Sequence, residues 1–275
     1  MRNDIFQLKD IHFSYLGKYP ALCGIDMAVE KGRKTVIIGA NGSGKSTLLH
    51  MLDGLIFPDK GAITVFGREM GEEAFNDRKF SLDFRKRVGF VFQNPDVQLF
   101  CPSVKEDILF GPLQLKENKR DVEKRLERLI DILGIKELLD RSPHQLSVGE
   151  KRKVTIASTL IIDPEVLLLD EPTAGLDPLT TRHIIDFLVS ENEAGKTIIT
   201  STHDLHIVEE IADEVLVFSR DKRIVRSGPP EEILNDMELL QAHNLVHIHA
   251  HRHGGRTHVH PHEHPSHDHT HQSLS

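Results

Sequence analysis

The chain has 275 residues, 39% hydrophobic and 28% charged, with a formal net charge of −8, and it holds two cysteines. That length builds one large domain or two small ones, and the acidic balance argues against a general nucleic-acid binder, which needs a basic face. Cys23 and Cys101 form no CxxC, which argues against a disulfide scaffold or cysteine-based zinc site and fits a reducing compartment; no apolar run approaches the roughly 18–20 residues that span a bilayer, and the opening MRNDIFQLKD lacks the apolar stretch of a leader.

In chain order, short apolar runs predict strands at 5–13, 25–30, 35–39, 62–67, 88–93, 165–170, 197–201, 214–219 and 223–228. The runs at 5–13, 25–30 and 62–67 alternate or carry polar residues, as half-exposed antiparallel strands do. Those at 35–39, 165–170 and 197–201 are continuous and rich in branched aliphatics, as buried parallel strands are. Between them, Val122, Leu126, Leu129, Ile130 and Leu133 recur at helical spacing. Asp163-Pro164 and Asp177-Pro178 mark turns or helix starts. The pattern predicts one α/β unit over residues 1–242, with a boundary near His243.

The segment Gly39, Ala40, Asn41, Gly42, Ser43, Gly44, Lys45, Ser46, Thr47 fits GxxxxGK[ST]. It follows a predicted strand and opens the helical run 46–52, the context that gives this motif its meaning. Its glycines let backbone amides turn inward around phosphate oxygens, and the helix N-terminus adds partial positive charge. Lys45 is expected to reach the outer phosphates, and the Ser46 hydroxyl to bind Mg²⁺. A dinucleotide GxGxxG is excluded, because Gly42-Ser43-Gly44 runs into Lys45-Ser46-Thr47 with no third glycine.

Downstream, four apolar residues lead into Asp170 and Glu171. In open α/β sheets, ligands gather at this end of the strands. Asp170 suits the magnesium shell. Glu171 is then placed to polarise a water for attack on the γ-phosphate, a role that contributes roughly 10²–10⁴-fold.

Together with these, the remaining motifs resemble the nucleotide-binding subunit of an ABC transporter over roughly residues 5–235. Leu146-Ser147-Val148-Gly149-Glu150 stands where that family has its LSGGQ signature, departing at Val148 and Glu150 but keeping Ser147 and Gly149. The resemblance implies a P-loop NTPase core with a mainly parallel sheet, an antiparallel β subdomain and a helical signature subdomain. It implies that Gln93 is the Q-loop residue and a further Mg²⁺ ligand, Asp177 the D-loop residue, and His203 the switch histidine. Tyr15 fits the aromatic that stacks on adenine. Ser147 and Gly149 would then close, in trans, the ATP site of a second subunit, either another copy or a paralogue. The activity implied is ATP hydrolysis coupled to transport.

The stretches 88–100 and 104–112 look like the energy-coupling-factor class of importers. There the segment after the Q-loop receives a transmembrane coupling subunit, and a separate membrane subunit binds the substrate. Val97, Leu99, Phe100 and Cys101 are the expected docking residues. The expected location is peripheral, on the cytoplasmic face of the cell membrane, with no nucleic-acid partner.

Histidine is unevenly spread: of 18, twelve fall between His243 and Ser275. In this 243–275 tail Arg252 and Arg256 cancel Glu263 and Asp268, so the whole −8 sits in residues 1–242. With almost no apolar content the tail is expected to be flexible. His247, His249, His251 and His253 alternate with other residues, as do His258, His260, His262 and His264. Neutral imidazole suits Ni²⁺, Cu²⁺, Zn²⁺ and Co²⁺ alike, and the resemblance includes a cobalt/nickel subgroup, so import of cobalt or nickel is the expectation. A vitamin importer of the same class is the alternative. A DNA- or ribosome-acting ATPase of this type is disfavoured by the single cassette and the lack of heptads. A metallochaperone GTPase is disfavoured by the lack of an Asn-Lys-x-Asp guanine reader.

Overall fold

The apolar runs separate into two sheets in a computed structural model that describes residues 3–253 and 256–262, with side chains from 3 to 246. β1 (Asp4–Tyr15) and β2 (Tyr19–Glu30) form an antiparallel hairpin. β3 (Lys34–Gly39) opens the second sheet, and β4 (Lys60–Val65) with β5 (Arg68–Met70) returns to the first, in the order β2-β1-β4-β5. The second sheet adds β6 (Val88–Val91), β7 (Val166–Asp170), β8 (Thr197–Thr202), β9 (Glu214–Phe218) and β10 (Ile224–Gly228). Its order is β10-β9-β3-β8-β7-β6, parallel except for β10.

The hydropathy pattern is borne out in burial. β1 mixes buried and exposed residues, alternating over Phe6–Lys9 and broken by register shifts elsewhere, whereas every residue of β7 and β8 is buried. The hairpin is longer than expected, β2 starting at Tyr19 rather than at residue 25, because Leu16 and Gly17 both take positive φ (55° and 65°) and reverse the chain tightly. β5 was not expected, being only three residues long.

The helices are α1 (Lys45–Leu52), α2 (Glu72–Asn76), α3 (Arg78–Arg87), α4 (Val104–Leu115), α5 (Lys119–Leu133), α6 (Val148–Leu160), α7 (Pro178–Glu193), α8 (Val208–Ile211), α9 (Pro230–Asn235) and α10 (Met237–Ala242). α5 shows why such segments are helical. Asn118 caps its start, Gly134 at φ 62° ends it, and Val122, Leu126, Leu129 and Leu133 line its buried face. Burying each of those side chains contributes about 1.5–3 kcal/mol. α7 begins at the expected Asp-Pro, with Asp177 as N-cap and Pro178 in its first turn.

The core has three parts. One packs α1 and α3 between the two sheets; a second packs α4 to α7 on one flank of the parallel sheet; the third lies under α8, α9 and α10. The C-termini of β3, β7 and β8 therefore open along one edge.

The third core continues past the boundary expected near His243. Asn244 takes φ 56° and turns the chain back, so that Leu245 and Val246 are buried beside Val36 and Ile38. Beyond it, the segment expected to be flexible pairs as an antiparallel hairpin, β11 (His247–His253) with β12 (Arg256–His262). His247 stands opposite His262, His249 opposite His260, and His251 opposite His258. The alternation that singled these histidines out has the period of a strand, and the backbone of this segment pairs accordingly. His264 lies outside the described residues. Among the described residues no helix is long and apolar enough to cross a membrane.

Candidate nucleotide site

The loop between β3 and α1 is built for close backbone approach. Gly42 and Gly44 take positive φ (74° and 114°), conformations open to glycine. A Cβ on Gly44 would lie 2.5 Å from the Ala21 carbonyl, and one on Gly39 would meet Ser43 Oγ at 2.7 Å and Phe218 Cβ at 2.9 Å. Gly39, Ala40, Asn41, Gly42, Ser43 and Gly44 thus form a tight loop in which Gly39 and Gly44 have no room for a side chain, whereas Gly42 is held to glycine by its φ alone. Ser43 Oγ is buried in it without a hydrogen-bond partner, which fits a loop shaped for an oxygen-rich ligand.

Lys45, Ser46 and Thr47 make the first turn of α1. Lys45 is only 6% exposed; its ammonium donates to Gly39 O at 2.8 Å and stands 3.9 Å from Glu171 Oε1. Burial lowers the Lys45 pKa, and the nearby Glu171 and Asp170 charges oppose that shift. The lysine is folded back on its own loop, with a carboxylate as counter-charge. Lys222, from the β9–β10 turn, donates to the Gly42 carbonyl from the outer side.

Asp170 ends β7 and Glu171 follows it, both buried. Because β7 and β8 are parallel and in register, Asp170 stands beside Ser201. Ser201 Oγ donates to Asp170 Oδ1 at 2.6 Å and accepts from the Glu171 amide at 3.1 Å. Glu171 takes φ 49°, a strained conformation for a non-glycine residue, which costs of order 1–3 kcal/mol and must be held by its surroundings. Two of those holds are visible: the His203 ring nitrogen Nδ1 lies 2.8 Å from Glu171 Oε2, and the His203 amide donates to the same oxygen at 3.3 Å. The hydrogen bond to Glu171 raises the His203 pKa above its ordinary value.

The hydroxyl of Ser46, the carboxylate of Asp170 and the side-chain amide oxygen of Gln93 are hard oxygen donors of the kind Mg²⁺ takes. Among the described residues no group of three or more His, Cys, Asp or Glu side chains is placed to cage a metal ion. A divalent ion here would complete its shell from phosphates and water, as magnesium usually does.

The structure brings Lys45, Asp170, Glu171 and His203 together, and Tyr15 to their margin. Tyr15 ends β1, is half-exposed, and its hydroxyl lies 3.2 Å from Thr47 Oγ1. It does not bring Ser147, Gly149 or Asp177 into that cluster. Ser147 is the N-cap of α6, Gly149 lies in its first turn, and Asp177 caps α7. These three line a separate cleft of about 310 Å³ with Val148, Leu176 and Thr180, and no P-loop residue borders it.

The departures from LSGGQ have a local explanation. Glu150 Oε2 accepts from the Ser147 amide at 2.7 Å while the Glu150 amide donates to Ser147 Oγ at 3.3 Å. This capping box holds the Glu150 pKa below the usual carboxylate range. Val148 is 55% exposed and packs into no core.

Gln93 follows β6 by two residues, and the segment after it holds the expected docking residues. Phe100 (65% exposed) and Val97 are at the surface, Phe100 lying edge-to-face with Phe110 at 4.9 Å. Leu99 departs from expectation: it is 5% exposed and belongs to the core around α4 to α6. Cys101 is half-buried. The Asp107 carboxylate accepts from the Phe100 and Cys101 amides at 3.0 Å each, turning Phe100 outward as Leu99 turns in.

Sequence reading missed Ser201 and Arg152. Ser201 becomes visible only once the strand order places β8 beside β7. Arg152, in a charged run, reads as a solvated helix residue yet is buried.

Comparison with known proteins places these features in context. The ABC transporter family profile matches residues 22–174. The nickel import ATP-binding protein NikO of Rhodobacter capsulatus is 50% identical over 244 residues, covering 88% of this chain and 95% of its own. The energy-coupling factor transporter ATP-binding protein EcfA of Methanocaldococcus jannaschii is 42% identical over 241 residues, covering 88% and 85%. Among solved structures, cbiO1 from Clostridium perfringens, part of the ABC transporter complex cbiONQ, superposes with a TM-score of 0.74 at 37% identity, covering 88% of this chain and 95% of that one. The ABC transporter cassette MJ0796, solved as a dimer, gives 0.73 at 25% identity, covering 82% and 98%.

Proposed function

This chain belongs to the ABC transporter ATP-binding family, in its energy-coupling-factor type, and from that premise we propose that it powers import of a divalent transition metal, nickel or cobalt, through separate membrane subunits. The membership carries ATP hydrolysis coupled to transport; the metal is the finer reading. The observation that carries it is the run of alternating histidines placed directly after a complete ATPase core. The 50% identity to a nickel import ATP-binding protein supports it.

In this reading the P-loop amides and Lys45 bind the phosphates, with Lys45 exchanging its Gly39 carbonyl for phosphate oxygen. Ser46, Gln93 and Asp170 would hold the magnesium ion, which when bound would neutralise phosphate charge. Glu171 takes the proton of the attacking water, and His203 orients Glu171 through the 2.8 Å contact. Tyr15 stacks on the adenine, worth on the order of 1–3 kcal/mol by analogy with base–aromatic stacking. Ser147, Gly149 and Asp177 serve a second ATPase subunit, in trans. Closure of that pair excludes water and completes the site, and hydrolysis reopens it. Val97 and Phe100 receive the transmembrane coupling subunit, and a further membrane subunit selects the substrate, with the chain peripheral on the cytoplasmic face. Residues 1–242 with the two core residues Leu245 and Val246 form the ATPase; the histidines from 247 on, His264 included, hold Ni²⁺ or Co²⁺ near the importer's mouth.

Calorimetric titration of Ni²⁺ and Co²⁺ into the full chain and into residues 1–246 tests the metal assignment. Cutting after Val246 leaves the third core whole. Binding confined to the full chain, and weakening as pH falls through the imidazole range near roughly 6.5, is the expected result; equal binding by both overturns it. The second reading, a vitamin importer, is favoured by the EcfA relatives, and uptake of labelled metal by the assembled transporter separates the two.

A further inference from the structure

Arg152 has no part in the reading above. It lies on α6, just over one turn past Ser147, and is 1% exposed, heading the largest fully buried side chains of the fold. Burying a charge costs several kcal/mol unless it is met by partners. Here its two terminal nitrogens donate to the carbonyl oxygens of Phe92 and Gln93, at 2.6 Å each, while Nε is buried without a partner. The fields of Asp170 and Glu171 also favour its charge, against the lowering effect of burial on its pKa.

The surroundings show what that bond ties together. β6 leaves the sheet at Val91, its last rung opposite Leu169. From there the chain lies on α6 and is held at two more points: Lys151 Nζ on Asp96 at 2.6 Å, and Gln98 Nε2 on Thr159 Oγ1 at 3.0 Å. Segment 92–98 is therefore bound along its length to the helix whose first turn presents Ser147 and Gly149. Arginine suits the first point for a geometric reason. Two carbonyls one residue apart need a planar fork, which a lysine ammonium does not offer.

We infer that Arg152 is a positioning residue, fixing the Gln93 backbone to the signature-bearing helix so that Gln93 and Ser147 move as one body. The inference rests on the roles proposed above for Gln93 and Ser147. A push on the exposed Val97–Phe100 surface would then reach the magnesium side of one ATP and the signature side of the other together.

The test is steady-state ATPase kinetics of the full chain in its assembled transporter, comparing Arg152→Gln, Arg152→Lys, Gln93→Ala and the Arg152–Gln93 double variants. Loss of the fork should lower kcat by roughly tenfold to a hundredfold, the scale of a 1 Å misplacement, and leave the ATP KM unchanged. Arg152→Lys keeps the charge, is expected to fold, and carries the test if Arg152→Gln does not. The Mg²⁺ concentration for half-maximal rate should rise by the same factor in Arg152→Lys and Gln93→Ala. Because Arg152 acts through Gln93, the double variants should be no slower than Gln93→Ala alone. Losses that multiply, or a raised KM at unchanged kcat, would overturn the inference while leaving Gln93 in its role. A Gln93→Ala variant with normal kcat and Mg²⁺ dependence would instead remove that role, and the inference with it.

Discussion

On the P-loop side Lys45, Asp170 and Glu171 are buried and bonded to neighbours in their own chain: Lys45 beside Glu171, Glu171 on the half-exposed His203, Asp170 on Ser201. On the signature side the polar groups are spent within single helix turns, Ser147 on Glu150 and Asp177 on Thr180, while Val148 and Leu179 face outward. The first arrangement is a preassembled cluster, which the function proposed above uses as its reaction centre. The second is a surface whose polar groups are satisfied locally and whose apolar side chains Val148 and Leu179 stay more than half exposed, as at a docking surface. In the function proposed above, this difference follows from one half of the ATP site being completed within the chain and the other by a second subunit.

The sharpest attack on that contrast is Glu171→Gln. The amide keeps the volume and a hydrogen bond to His203 but cannot take a proton. Turnover should fall by about 10²–10⁴-fold, with binding of a fluorescent ATP analogue retained. Near-normal turnover would move the base elsewhere and leave the buried half a structural cluster.

Next in size is the dependence on a second chain. Ser147→Arg should abolish turnover, and mixing it with Glu171→Gln should restore activity that neither has alone, since one mixed site pairs an intact Glu171 with an intact Ser147. Turnover of the unaltered chain should also fall more than proportionately on dilution. A rate per chain that is independent of concentration would erase the distinction between the halves.

The buried half was largely legible in the sequence. GxxxxGK[ST] after a strand, and a run of aliphatics ending in Asp170-Glu171, are patterns whose spacing follows from the backbone geometry they serve. What the sequence hid depends on strand order and side-chain packing. Ser201 reaches Asp170 because β8 lies between β3 and β7. Leu99 and Phe100 both read as apolar, and only the Asp107 bonds to the loop decide which points out. Glu150 looked like a defect in a motif, where the structure has it closing a capping box. The boundary near His243 fell short of Val246 because a single Asn in the left-handed conformation returns two apolar residues to the core.

The signature half makes a smaller prediction of its own. If Glu150 serves α6 rather than nucleotide, Glu150→Ala should cost about 1 kcal/mol of stability, the scale of a lost cap, and Glu150→Gln much less. Thermal melting reads both. An Ala variant that melts normally but loses turnover would give Glu150 a part in the shared site and blur the division.

The smallest effect concerns whether the buried half is charged before ligand arrives. The hydrogen bond to Glu171 raises the His203 pKa from its ordinary 6.5, so the folded state favours the imidazolium. Stability from this pair is therefore fully present below pH 6.5 and lost as pH rises through the elevated folded value. His203 is half-exposed, and after discounting for solvent screening the pair is worth about 1 kcal/mol or less. The melting difference between the unaltered chain and His203→Gln should then be largest near pH 6 and shrink toward pH 9, a range bracketing the ordinary histidine value. Glutamine keeps a neutral donor, so what the difference reads is charge. A difference that does not vary with pH would mean that Glu171 is held by neutral hydrogen bonds alone, with the strained backbone at φ 49° doing the rest of the positioning.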